Sequence, residues 1–423
     1  MVVLVIFVLL VFCYSLISNQ VARTRLTAPI IFTLAGIITG IPGPDVQNYQ
    51  FTVEIFLTIA ELGLVLLLFT DGSRVSFEFR GGLRSIPGRL LSTGMLLSIV
   101  LGLLVAMVVF GDLSIWEAGI LAAILAPTDA GLGQAIVSDP RVPIRIRQAL
   151  NVEAGLNDGL SVPFLLFFIA LATGGGTQGA DASLPRYFLE QFGYGTLIGL
   201  VIGYLGGKLF IAAARRGWVS AEFRQLGFAA LPILCVLASI ACDASMFIAA
   251  FVAGLAVRHR RRKSDYDITA HSLEFAEYWG GLINLTVFFL FGLLVAETWG
   301  DLSLSHILYA VLSLTLIRMV PVAVALTGLG LQRRTVLFMG WFGPRGLASI
   351  VLGLVYLEQT AERHLQTIEM AVIATVLLSI LLHGISARPG ARRFGALMDS
   401  LPANIPEKLA RGLTPKGLVK RKN

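Results

Sequence analysis

Charge is scarce in this 423-residue chain. Asp, Glu, Lys and Arg together make 14% of it and hydrophobic residues 56%, whereas about a quarter of a typical soluble domain is charged. Length alone would allow two or three soluble domains, but a chain this poor in charge cannot cover their surfaces. Cysteine is nearly absent. Cys13, Cys235 and Cys242 lie in or at the ends of apolar stretches, match no metal spacing and imply no disulfide framework. There is no Walker A sequence, no HExxH and no dinucleotide fingerprint, so nothing supports ATP-driven pumping, a resident metal or a cofactor. The N-terminus carries no basic n-region and no small-residue cleavage site, and its first apolar stretch is expected to be kept as a helix.

What fills the chain is apolar sequence in bilayer-length pieces. Runs such as Met1–Leu16 and Leu90–Phe110 hold few or no charges, enough to cross a hydrocarbon core of about 30 Å as a helix. The 44 glycines suit helices packed backbone to backbone in lipid. The pattern predicts an all-α polytopic membrane protein of about thirteen spans, at roughly 2–18, 26–42, 52–70, 89–110, 115–138, 144–173, 187–214, 220–240, 244–257, 271–297, 304–326, 332–357 and 365–387. Pro, Gly and polar clusters mark the joins, as at residues 41–45 and 173–177.

Charge placement decides the count. With thirteen spans and the N-terminus outside, the inner loops and tail hold 28 of the 33 Lys and Arg residues and the outer loops hold two, Arg186 and Arg363. The other three, Lys208, Arg318 and Arg345, fall within spans. Fusing the short ninth span with the eighth would send 16 basic residues (5 + 2 + 9) outside, against the positive-inside rule. The expectation is therefore an inner-membrane protein, N-terminus out and C-terminus cytoplasmic. The net charge of +7 reflects that bias and gives no argument for nucleic acid. The basic tail is too short for a regulatory nucleotide-binding domain; segment 403–413 reads equally as a short surface helix or an unstructured tail.

Ionisable residues at mid-span are costly in lipid and mark function by default. Asp129 lies in the fifth span within Leu125-Ala-Pro-Thr-Asp-Ala130, Glu153 and Asp158 in the sixth, and Arg345 in the twelfth within Gly340-Trp-Phe-Gly-Pro-Arg-Gly346. Pro127 removes a donor and disfavours helix just before it, and Gly343-Pro344 does the same in the twelfth. The two breaks stand seven spans apart, an odd offset that reverses orientation. That is what an inverted repeat of spans 1–6 and 8–13 requires, with the broken helices crossing at mid-membrane, the arrangement of a transporter's ion site. Two unrelated proline kinks are the structural alternative.

Glu153 and Asn157 share a helix face, with Asp158 next round. Arg345 is always charged and needs a buried anion. If Glu153 neutralises it, Asp158 remains as the carboxylate that exchanges a proton for a cation. A static polar network is the competing reading. Elsewhere, Glu61 reads as structural, Arg318 as pairing within the core, Lys208 as snorkelling, and His259 and His271 as solvated loop residues rather than pH sensors.

The Ala-Pro-Thr-Asp-Ala break, the Asn157-Asp158 pair four residues after Glu153, the Gly-Pro-Arg-Gly segment and Leu62-Gly-Leu-Val-Leu-Leu-Leu-Phe69 together resemble the NhaP-type sodium/proton antiporters of the monovalent cation–proton antiporter superfamily, over roughly residues 5–390. The resemblance implies secondary exchange of Na⁺ or K⁺ for H⁺, with neither catalysis nor a cofactor, in a homodimer whose core moves like an elevator. It assigns residues 1–88 and 174–303 to a scaffold, 89–173 and 304–390 to an ion-transporting core, and 391–423 to a basic tail. Asp158 matches the ion- and proton-binding aspartate and Asn157 its partner. Thr128 and Asp129 match the broken-helix ligands, so that the cation sits at Asp158, Asp129 and Thr128, and Glu153 and Arg345 match the buried ion pair. Two positions depart from the pattern: Ala154 replaces a serine ligand, and the third span reads Phe69-Thr70-Asp71 where relatives place an acidic residue directly after Leu-Phe. A sodium-coupled symporter of an organic anion is the alternative, and it requires a roomier site with more free basic groups.

Overall fold

A computed structural model describes residues 2–41, 53–74, 85–129, 131–172, 186, 189–258, 266–359, 365–402 and 404–408. Every regular element among them is helical. The helices are α1 (Val2–Val21), α2 (Ala28–Gly40), α3 (Val53–Arg74), α4 (Ile86–Val109), α5 (Ile115–Ile124), α6 (Gln134–Val137), α7 (Ile144–Ala172), α8 (Leu189–Arg215), α9 (Ala221–Ala241), α10 (Met246–Arg258), α11 (Tyr266–Thr298), α12 (Leu304–Ala325), α13 (Arg333–Trp341), α14 (Leu347–Gln359) and α15 (Leu365–Asp399). Nine are long and apolar enough to cross a membrane, and α2, α5, α10 and α14 are shorter apolar helices. With α5–α6 and α13–α14 taken as single broken spans, these elements follow the thirteen expected segments in order. The expected joins at 42–45 and 173–177, the histidine His259, Arg363 and most of segment 403–413 lie outside the described residues, as does the side chain of His271.

Local chemistry explains where the helices start. Ser114 opens α5 with a capping box: its hydroxyl accepts from the Glu117 amide at 3.2 Å, and Glu117 accepts from the Ser114 amide at 2.7 Å. Ser85 does the same for α4, taking the Gly88 amide at 3.2 Å with Pro87 in the first turn. Pro163, Pro232, Pro321 and Pro389 sit inside helices that continue past them. Only Pro127 and Pro344 coincide with true breaks, because there a neighbouring chain takes up the freed backbone groups. A further interruption falls at Thr315, with φ −110° and ψ −85°, within α12.

Small residues set the helix spacing. A Cβ on Gly36 would collide with the Phe289 carbonyl, and one on Gly292 with the Thr33 carbonyl, so α2 and α11 lie in backbone contact. Likewise α3 packs along α10, and α10 along α8. Separately, α4 packs on α5, α5 on α7, and α12 on α15. Cys235 is buried, Cys13 and Cys242 exposed, and all three are free.

Candidate functional site

The two breaks meet. Residues 125–129 leave α5 in extended and turn conformation before α6, and residues 342–346 separate α13 from α14. An interrupted helix leaves donors and acceptors bare, and in a membrane these must be satisfied by protein. Here each break serves the other. The Asp129 amide donates to the Pro344 carbonyl at 2.8 Å. Asp129 Oδ2 accepts from the Leu347 amide, the first of α14, at 2.8 Å, and its Oδ1 accepts from the Gly131 and Leu132 amides at 2.6 and 3.1 Å. A carboxylate on a helix N-terminus meets both bare N–H groups and the positive end of the dipole. Gly346 permits this approach, since a Cβ there would strike the Asp129 carboxylate.

Arg345 completes the crossing from the other side. Its side chain is fully buried, and Nη1 donates to the carbonyls of Ala126 and Pro127 at 2.6 and 2.7 Å. Its backbone amide donates to Ser379 Oγ on α15 at 2.7 Å. One guanidinium thus neutralises the carbonyl end of α5, and one carboxylate caps the amide end of α14.

This corrects the expected Glu153–Arg345 pair. The partner of Glu153 is Arg318, from the middle of α12: Nη1 lies 2.6 Å from Glu153 Oε1, with side-chain exposures of 5% and 3%. Arg345 stays within electrostatic range of Glu153 but spends its hydrogen bonds on carbonyls. A buried guanidinium need not face a carboxylate, because the C-terminal end of a half-helix, with its bare carbonyls, serves as well. Arg318 also lies against the second break, because a Cβ on Gly343 would strike its guanidinium. The pair therefore ties α7, α12 and the α13–α14 break together. The signal available in the sequence was that Arg318, like Arg345, is a mid-span arginine.

Asn157 and Asp158 project from α7 toward the crossing. Asn157 Nδ2 donates to Thr128 Oγ1 at 2.6 Å. Asn157 Oδ1 and Asp158 Oδ1 are both buried with no hydrogen-bond partner among the described residues. Asp158 is 3% exposed, and the carboxylates of Asp129 and Asp71 are close enough to act on its charge. Beside Thr128 and Asp129 is a cavity of about 10 Å³, lined also by Ala154, Phe342 and Pro344, which is room for about one water-sized particle.

The third span resolves one ambiguity. Thr70 turns its hydroxyl onto its own helix, donating to the Leu66 carbonyl at 2.7 Å. Asp71 instead lies against α7: a Cβ built on Gly155 would be 3.3 Å from its carboxyl carbon. Glu61 is half-buried farther along α3 and Lys208 is exposed on α8. A buried histidine that sequence reasoning passed over, His383, joins the break to α15. It lies 2.8 Å from the Trp341 carbonyl through Nε2 and 3.2 Å from Ser379 Oγ through Nδ1.

Broken helices crossed head to head, with a buried carboxylate left open between them, define a secondary-transporter architecture. Residues 6–393 match the family described as sodium/hydrogen exchanger, transmembrane, and the chain belongs to that family. Among relatives, it is 28% identical over 398 residues to the K(+)/H(+) antiporter NhaP of Alkalimonas amylolytica, covering 90% of this chain and 65% of that one. It is 28% identical over 258 residues to the uncharacterized Na(+)/H(+) exchanger YjcE of Escherichia coli K12, covering 56% and 46%. The chain thus spans less than two thirds of the length of these relatives. The sodium proton antiporter MjNhaP1 of Methanocaldococcus jannaschii, solved at pH 8, shares the fold with a TM-score of 0.74 at 19% identity, over 93% of this chain and 99% of that one.

Proposed function

We propose that the protein exchanges a monovalent cation, Na⁺ or K⁺, for H⁺ by competition at Asp158. The observation that carries this is a buried carboxylate oxygen with no partner, beside an equally unpartnered Asn157 oxygen, at the crossing of two broken helices. Five carboxylate and guanidinium side chains are buried around that crossing: Arg318, Arg345, Asp129, Glu153 and Asp158. With every group ionised they sum to one negative charge, two positive against three negative. One proton or one monovalent cation on Asp158 brings the sum to zero. An uncompensated buried charge is expensive, so the loaded forms cross and the empty form does not. Coupling follows from that exclusion.

The other groups serve fixed roles in this scheme. Asp129, held by three amides, is a permanent counter-charge that shapes the site with Thr128, and Asn157 holds Thr128 while offering its own oxygen to the ion. Asp71 adds field from the third span. The names of two relatives, a K⁺/H⁺ antiporter and a Na⁺/H⁺ exchanger, support the substrate pair. The small cavity speaks against the organic-anion symporter, because it is too small for such a substrate.

Alternating access would move the core, residues 89–173 and 304–390, past a scaffold of residues 1–88 and 174–303 in an elevator-like step, within a homodimer. The packing of α2 on α11 and α3 on α10, and of α4 on α5 and α12 on α15, is more extensive than that of α3 on α7 and α14 or of α2 on α15 across the division, which supports it. The distribution of Lys and Arg supports an N-terminus outside the inner membrane and a C-terminus within.

Purified protein in proteoliposomes with a lumenal pH dye tests the proposal. A Na⁺ or K⁺ gradient should drive a pH change without any organic substrate, and Asp158→Asn should abolish it while keeping the fold. Cation-driven pH change persisting in well-folded Asp158→Asn would refute competition at this carboxylate.

A further inference from the structure

Five arginines converge on one concavity that shares no lining residue with the cavity beside Asp129. Arg23 and Arg25 come from the turn between α1 and α2, and Arg388, Arg392 and Arg393 from the last turns of α15; Thr24 and Pro389 complete a pocket of about 330 Å³. No carboxylate pairs with any of the five among the described residues. Five like charges gathered without a counter-charge repel one another, yet the backbone holds them together. Thr24 shapes its turn, donating from Oγ1 to the Val21 carbonyl at 2.8 Å and accepting from the Leu26 amide at 3.1 Å. Gly384 lets α15 approach the start of α2 closely, since a Cβ there would be 2.5 Å from Ile30 Cδ1 and 3.0 Å from Thr27 Oγ1. The fold therefore imposes the cluster rather than merely tolerating it.

The surroundings identify the anion. On α15 one face reads Leu382, Ile385, Pro389 and Arg392, at helical spacing, and it changes from exposed apolar to basic over about two turns. Leu382, Ile385 and Leu26 are exposed, as is Ile17 at the facing end of α1. A helix face that is apolar and then abruptly basic marks the boundary between acyl chains and head groups. Guanidinium groups bind phosphate oxygens in pairs and keep their charge at any working pH.

We propose that this pocket binds the phosphodiester head group of an anionic phospholipid, whose acyl chains lie along Leu382 and Ile385. The site rests on the reading of the chain as a membrane protein but not on its ion chemistry. A lipid seated there joins the α1–α2 turn to α15, two elements that the elevator reading assigns to the scaffold and the core.

Binding to the purified full-length protein in detergent is the test, read as the shift in thermal unfolding midpoint and as lipid retention in native mass spectrometry. Phosphatidylglycerol is titrated against phosphatidylcholine and against inorganic phosphate. Phosphatidylglycerol should raise the midpoint and phosphatidylcholine should not. A charge near an anionic membrane contributes about 1 kcal/mol, so Arg388→Gln/Arg392→Gln/Arg393→Gln should weaken phosphatidylglycerol binding by about a hundredfold. Arg23→Gln/Arg25→Gln should weaken it by about tenfold or more, and the surface control Arg333→Gln/Arg334→Gln should not change it. Arg23, Arg25, Arg392 and Arg393 are exposed and Arg388 is half-buried, so a circular-dichroism check of each variant accompanies the binding data, and no readout depends on transport. Equal weakening in the control would show non-specific attraction and overturn the site. Stabilisation by inorganic phosphate matching that by phosphatidylglycerol would assign the pocket to a soluble anion and overturn the lipid assignment.

Discussion

Separating the two buried arginines is the sharpest test of the site geometry. At 2.6 Å and an effective dielectric of about 20, the Glu153–Arg318 attraction is about 6 kcal/mol in gross terms, offset by the desolvation of both groups. The net value of the pair is therefore small, while the cost of orphaning one member is large. Arg318→Met should lower stability by about 3–5 kcal/mol, because Glu153 is left buried with its nearest donor gone. Glu153→Gln should cost a comparable amount, since Arg318 is then left buried without its anion. The double variant should cost about as much as either single one, which is strong non-additivity. Repeating the cycle with Glu153→Gln and Arg345→Met should give much weaker coupling, because Arg345 donates to the Ala126 and Pro127 carbonyls instead. Unfolding titrated with sodium dodecyl sulfate in mixed micelles measures each corner. Additivity for Glu153 with Arg318, or coupling to Arg345 of equal size, would refute the assignment.

Exchange should be electroneutral if, as proposed, Asp158 alone changes occupancy. Moving one net charge would instead couple to about 2.3 kcal/mol per 100 mV, so a rate that follows potentials imposed in proteoliposomes would exclude the one-carboxylate scheme. Gly346→Ala should displace Asp129 from the α14 amide and abolish exchange with the helical fold retained; normal flux would show that the cap is dispensable. Glu407 is fully buried and accepts from the Gln332 amide and Thr335 Oγ1 at 2.7 and 2.9 Å, so Glu407→Ala should cost about 0.5–2 kcal/mol as a lost N-cap, read by thermal unfolding. Asp139, in the turn between α6 and α7, is held below the usual carboxylate range by its hydrogen bond to the Arg141 guanidinium. A lowered folded pKa stabilises above the unfolded value of about 4 and is lost only as pH falls through the lower one, so Asp139→Asn should leave the pH profile of exchange between pH 6 and 9 unshifted.

The spans were legible because lipid leaves few choices: apolar length, Pro-Gly joins and the side bias of Lys and Arg outline the helices before any packing is known. The breaks were legible for a related reason. Pro127 and Pro344 each remove a donor where polar residues cluster, and a membrane tolerates that only with a compensating partner. Which partner was not legible. Arg318 and Arg345 are both mid-span arginines, and sequence spacing does not say that one reaches a carboxylate while the other reaches two carbonyls. That choice depends on the rotation of α12 against α7 and on the extended path of residues 342–346. Glu407 was invisible too, since a single acidic residue in a basic tail carries no sign that it folds back to cap α13. Asp71 rather than Thr70 faces α7 for a purely rotational reason, one residue being about 100° on a helix.

The interlocking of the two breaks has a consequence for biogenesis. Ala126 and Pro127 wait for Arg345, and Asp129 waits for the amide of Leu347. Arg345 follows Asp129 by 216 residues (345 − 129), about 10–40 s of synthesis at ordinary rates. Throughout that interval the first half occupies the bilayer with the Ala126 and Pro127 carbonyls bare and Asp129 Oδ2 unmet, only Oδ1 being held by the local Gly131 and Leu132 amides, and each unmet group costs several kcal/mol in hydrocarbon. The first break must then stay near water, or near the insertion machinery, until the second arrives. A chain stopped before residue 345 keeps those hydrogen bonds unmet for as long as it stays in the bilayer.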